Sequence, residues 1–110
     1  MSAEATSLYL TTTGWRTGRP RDIEIWFTRR EGRYYLVAEH GERAGWVLNL
    51  RADPRVRWRL GDVAFAGRAR VVDAAAEPEL SATVQRLSAE KYGWGDGLVI
   101  ELAPDADPLR

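Results

Sequence analysis

The chain has 110 residues, with sixteen basic and sixteen acidic side chains and a formal net charge of zero. That length suits a single domain spanning 1–110 with a modest core, and the charge balance sets aside general attraction to nucleic acid or a membrane. The absence of cysteine excludes disulfides, thiolate nucleophiles and cysteine-ligated metals.

Hydrophobic residues make up 45% of the chain, enough for a folded core, and five are tryptophan. Large aromatics in so short a chain serve well where the core is completed by a ligand or a second copy, so a homodimer is one reading. There is neither a basic segment leading into a long apolar one near residue 1 nor a run of eighteen apolar residues. The expectation is a cytoplasmic protein.

In chain order, residues 1–5 are small and polar and are expected to be loose. Ser7 to Thr13, rich in threonine around Leu8, Tyr9 and Leu10, reads as a strand. Gly14 to Pro20 is a basic turn. Asp22 to Arg29 follows as one strand, with Ile23, Ile25 and Phe27 on a common face. Arg30 to Arg33 is a hairpin connection, and Tyr34 to Glu39 a third strand. From Arg43 to Arg51 the spacing of Trp46, Val47 and Leu50 fits a short helix. Asp53-Pro54 stops it, because a residue before proline is pushed out of helical geometry.

Arg55 to Leu60 alternates strictly, placing Val56, Trp58 and Leu60 inward and three arginines outward. Val63 to Val72 is a strand expected to bend at Gly67. Pro78 to Tyr92 is a helix with Leu80, Val84 and Leu87 on one face. Glycines 93, 95 and 97 end it before a last strand, Leu98 to Leu102, and a tail from Pro104 to Arg110. About six hairpin-connected strands with one short and one longer helix predict a mainly β fold, a small antiparallel barrel.

The densest chemistry lies in the first turn. Arg16, Arg19 and Arg21 crowd a bend bracketed by Gly14 and Gly18, and guanidinium forks beside glycine amides suit phosphate or carboxylate oxygens. A solvated hairpin tip would carry the same residues. Thr17-Gly18-Arg19-Pro20-Arg21 also resembles the core of an AT-hook, which lays arginine into the minor groove. Such hooks belong to strongly basic disordered chains, and this turn sits between strands of a neutral one. Arg55, Arg57 and Arg59 could extend an anion site or form a solvated outer face. His40 is the only histidine, so a multi-histidine metal site is impossible. It could cap a turn, hand a proton to a substrate or ligate a haem iron. Trp46 and Asn49, three residues apart on the short helix, share one side of it. They fit a core residue and a helix-end cap, or a pocket wall and its polar contact.

Three stretches together resemble the deazaflavin-dependent nitroreductase and quinone reductase family. They are Thr11-Thr12-Thr13-Gly14 with Gly18-Arg19-Pro20-Arg21, then Tyr34-Tyr35-Leu36-Val37, then Gly45 to Val56 with its Trp-x-x-Asn-Leu-x-Ala-x-Pro run. The resemblance spans roughly residues 8 to 72 and implies the split β-barrel of the flavin and deazaflavin oxidoreductases. It also implies binding of the 8-hydroxy-5-deazaflavin coenzyme (coenzyme F-420) and hydride transfer to a nitro compound, quinone or enone. Carried over by position, Arg16 and Arg21 would hold the coenzyme phosphate, helped by Thr17 and the backbone near Gly18. Ala38, Glu39, His40 and Gly41 would run along the ring, and Trp46 and Asn49 would close the site. His40 is then the candidate proton donor. Trp15 stands where many members carry a basic residue, and Glu24 where some carry proline. Relatives in the wider fold family imply an alternative, a non-catalytic carrier or sensor for FMN, haem or another tetrapyrrole.

Overall fold

The computed structural model describes residues 6–105, so the expectations of loose ends at 1–5 and 106–110 fall outside it. The elements in order are β1 (Ser7–Thr13), β2 (Pro20–Trp26), β3 (Thr28–Arg30), β4 (Arg33–Ala38), a 3-10 turn (Gly41–Arg43), α1 (Gly45–Ala52), β5 (Arg55–Leu60), β6 (Val63–Val72), α2 (Pro78–Tyr92) and β7 (Leu98–Pro104). The strands form a single seven-stranded antiparallel sheet in the order β2-β1-β5-β6-β7-β4-β3. The mainly β, split-barrel expectation holds, with seven strands in place of about six.

The extra strand arises where one continuous strand was expected from Asp22 to Arg29. β2 pairs with β1, whereas β3 pairs with β4, at the opposite end of the sheet order. The chain crosses at Phe27, whose amide and carbonyl therefore leave both ladders. α2 takes them up. The Phe27 N–H donates to the Tyr92 hydroxyl oxygen at 3.0 Å, and the Phe27 carbonyl accepts from Lys91 Nζ at 3.0 Å. Alternation in sequence continues through Phe27, so only the pairing reveals the break.

Inner-face residues Leu8, Leu10, Leu36, Trp58, Ile100 and Leu102 make the barrel core, and α1 adds Val47 and Leu50 to it. A second, smaller cluster of Tyr35, Val72, Val84 and Val99 lies on the other side of the sheet, where α2 packs. β7 is thus buried on both faces, which is why Leu98-Val99-Ile100 reads as an unbroken apolar run. Pro104, expected to begin the tail, is the last residue of β7, opposite Gly67. A Cβ at Gly67 would lie 2.1 Å from the Ala103 carbonyl oxygen, so only glycine lets β7 approach here. α2 ends at Gly93, which adopts φ 78°, the left-handed geometry that glycine reaches without strain.

Candidate functional site

Because β2 and β3 sit at opposite ends of the sheet order, the barrel stays open between β2 and β4. A cavity of about 740 Å³ occupies that split. The C-terminal end of α2 and the N-terminal end of α1 close its flanks, through Ser88, Tyr92 and Trp94 on one side and Ala44 and Trp46 on the other. Three of the five tryptophans, Trp26, Trp46 and Trp94, line it. At its mouth the Trp26 and Tyr92 rings stack with centroids 4.7 Å apart and planes 5° from parallel. The pair joins β2 to α2, and offset stacking of this kind adds about 1 kcal/mol beyond the area it buries.

Of the residues singled out in the sequence, Ala38, Glu39, His40 and Trp46 line the cavity. Gly41 follows directly in the 3-10 turn and is not part of the wall. Asn49 is buried and looks away from the cavity. Its Oδ1 accepts from the Trp15 backbone N–H at 2.9 Å, and its Nδ2 donates to Thr12 Oγ1 at 3.0 Å. It fastens α1, which carries Trp46, to the base of the basic hairpin.

Arg16, Thr17, Gly18 and Arg21 lie in that hairpin, outside the cavity wall. The hairpin is closed on itself: Gly14 N–H donates to the Arg19 carbonyl and Gly18 N–H to the Gly14 carbonyl, both at 2.8 Å. Arg19 N–H reaches Thr17 Oγ1 at 3.2 Å. With these amides and that of Trp15 engaged, an anion would meet chiefly the guanidiniums. Among the described residues no ion pair includes Arg16, Arg19 or Arg21. The Arg16 guanidinium rests 4.5 Å from the Trp15 ring centroid. Arg21 is paired with Thr12, hence on the inner face, and Glu24 on the cavity wall is three residues farther along β2. At the rise of a strand that separation is about 10 Å.

Sequence reasoning missed Trp26, Tyr92 and Trp94. Trp26 and Tyr92 meet across 66 positions of chain, and only the crossing at Phe27 and the docking of α2 bring them together. The Gly93-Trp94-Gly95 pattern was the one local signal, a large aromatic held between residues without side chains. Tyr35 and Thr28 also reach the wall. The buried Thr28 hydroxyl makes no hydrogen bond among the described residues.

Behind Tyr35 lies a charged row across β4, β7 and β6, in which Tyr35, Glu101 and Arg70 are register neighbours. The Tyr35 hydroxyl donates to Glu101 Oε2 at 2.9 Å, and Arg70 Nε donates to Glu101 Oε1 at 2.9 Å. Burial, followed by the hydrogen bond and charge of Glu101, pushes the Tyr35 hydroxyl up to about 12. Burial also pushes Glu101 upward. The hydrogen bonds from Arg70 and Tyr35 and the charges of Arg70 and Arg33 outweigh that and hold its carboxyl below the ordinary glutamate range. This row fixes the back wall in a closed network with no proton to spare at neutral pH.

Comparison with known proteins gives the family. Residues 2–97 match the F420H(2)-dependent quinone reductase family. The chain belongs to that family. Among its curated members, the F420H(2)-dependent quinone reductase Rv1261c of Mycobacterium tuberculosis (strain ATCC 25618 / H37Rv) is 36% identical over 69 residues, 60% of this chain and 46% of that protein. The chain thus spans about half the length of the curated relatives it matches. Of solved structures, the F420-H2 dependent reductase FDR-A superposes with a TM-score of 0.72 at 24% identity, covering 88% of this chain and 93% of that one. The haem storage protein HutZ from Vibrio cholerae gives 0.76 at 19% identity, covering 94% and 84%. At those identities the likeness is one of fold. No helix among the described residues is long and apolar enough to cross a membrane.

Proposed function

We propose that this member of the quinone reductase family binds the 8-hydroxy-5-deazaflavin coenzyme in the split of its barrel and reduces a small planar quinone there. The observation that carries this reading is the pairing of an aromatic-walled cavity of about 740 Å³ with unpaired arginines one short strand segment away. A flat ring and an anionic tail need those two environments at that order of separation. The edge from Ala38 to His40 supplies polar contacts beside the aromatic walls.

When bound, the reduced coenzyme supplies a hydride, and a quinone then needs one further proton to become a hydroquinone. The chain's own part is positioning and exclusion of water. Trp46 walls one side of the ring space, Arg16 and Arg21 hold the phosphate from the hairpin, and Asn49 fixes the hairpin against α1. His40 is the wall group able to hand over that proton, directly or through water. Nitro compounds and enones are further candidate acceptors for the same geometry.

Fluorescence titration with the reduced coenzyme tests the reading. Arg16→Ala and Arg21→Ala should each weaken binding about tenfold or more, the value of a charge-assisted contact. Saturable binding with turnover of a soluble naphthoquinone supports the proposal; affinity unchanged in both variants overturns the tail assignment. His40 on an aromatic wall favours one second reading, a carrier of haem, FMN or another tetrapyrrole. A strong pigment band in the purified protein, with no quinone turnover, would establish it instead.

A further inference from the structure

We propose that the cavity takes flat aromatic cations in preference to neutral or anionic rings, with Glu24 and Glu39 as the residues that select the charge. The two carboxylates belong to opposite lips of the split, Glu24 on β2 and Glu39 directly after β4, and both residues line the cavity. No lysine or arginine is among the lining residues, and the arginines of the hairpin lie outside the wall. Cavity and hairpin therefore differ in the sign of their charge.

Neither carboxylate is matched by a cation of the chain. Glu24 Oε2 accepts from Ser7 Oγ at 2.6 Å, which holds it beside another wall residue. Among the described residues neither Glu24 nor Glu39 forms an ion pair. Glu101, behind Tyr35, is by contrast matched by Arg70 and Arg33. Lys91 stands behind the wall, where its Nζ donates to the Phe27 carbonyl and lies 4.3 Å from the Phe27 ring centroid. One ammonium there is outnumbered by two carboxylates on the wall itself. A metal ion is the poorer occupant, because no three metal-ligating side chains converge among the described residues.

The aromatic walls answer the same ligand. Trp26, Trp46, Tyr92 and Trp94 line the space between the lips, and Trp26 is 50% exposed with one face taken by Tyr92. A flat ring laid on indole gains from stacking, and a positive ring gains further from the negative potential of the indole face. A neutral ring gains the first alone, and an anionic ring is repelled from both lips. Exposed carboxylates are individually weak, so each is worth about threefold in affinity and the two about tenfold. Salt should shrink that preference. On the coenzyme reading above, on which this one consequence rests, the acceptor reduced here is uncharged or cationic. The binding itself needs no coenzyme.

Equilibrium dialysis of the full, coenzyme-free chain against three rings of one flat frame tests this. The rings are N-methylphenazinium, phenazine and phenazine-1-carboxylate, in the dark, at low salt and about pH 8, above the ordinary histidine range. N-methylphenazinium should bind about tenfold tighter than phenazine, and the carboxylate weakest. Glu24→Gln and Glu39→Gln should each cut the preference about threefold, and the double variant should remove it. Phenazine affinity should hold constant across the variants, which reports an intact cavity. Equal affinity for the cation and the neutral ring overturns the proposal. So does a preference that survives in the double variant, or failure of all three rings to bind at high-micromolar concentration. None of these outcomes touches the coenzyme titration, so the two readings fail separately.

Discussion

Replacing Asn49 with alanine separates a bracing role from a ligand contact. The side chain is 7% exposed and makes two hydrogen bonds, 2.9 Å from the Trp15 amide and 3.0 Å to Thr12 Oγ1. Each is worth about 1 kcal/mol net, and a buried Thr12 hydroxyl stripped of its partner adds a desolvation cost of similar size. The expected loss is about 2–3 kcal/mol, a large share of what a domain of this size holds in reserve. By the usual scaling the melting temperature should fall roughly 10 °C or more. Urea unfolding followed by tryptophan fluorescence gives the free energy directly. Because α1 carries Trp46 and the hairpin carries Arg16 and Arg21, coenzyme affinity should fall as well, without loss of any direct contact. An unfolding free energy within about 0.5 kcal/mol of the wild type would refute the brace.

Tyr92→Phe keeps the stack on Trp26 but strips the Phe27 N–H of its acceptor, so a loss of about 1–3 kcal/mol is expected in chemical denaturation. Gly67→Ala drives a methyl group against the Ala103 carbonyl at 2.1 Å, and should yield little folded protein as judged by circular dichroism. Glu101 has a depressed carboxyl, so its contribution to stability is whole at neutral pH. That contribution is lost as pH falls below the ordinary glutamate range, and Glu101→Gln should flatten the acid limb of a stability-against-pH curve. Tyr35 runs the other way. Its hydroxyl titrates near 12 in the folded chain against an ordinary value of 10.0, so its stabilisation is present below pH 10 and is lost as pH rises toward 12, an effect that Tyr35→Phe should remove.

Local signals were enough for most elements. Alternation placed Val56, Trp58 and Leu60 inside, and the Asp53-Pro54 stop and the turn at Gly93 sit where backbone chemistry demands them. The clustering of Arg16, Arg19 and Arg21 in a closed hairpin, and of Ala38, Glu39, His40 and Trp46 near one another, was likewise written in short stretches. These features depend on neighbours a few residues away, which a linear reading can see.

The site itself was settled by pairing. Alternation runs unbroken from Ile23 through Phe27, yet β2 joins one end of the sheet and β3 the other, and that exchange opens the split. Trp26 and Tyr92 meet, and Asn49 turns from the cavity to the hairpin, through contacts spanning 66 and up to 37 positions. Side-chain periodicity encodes which face of a strand is buried. It carries no information on which strand lies alongside, and the cavity exists because of that choice.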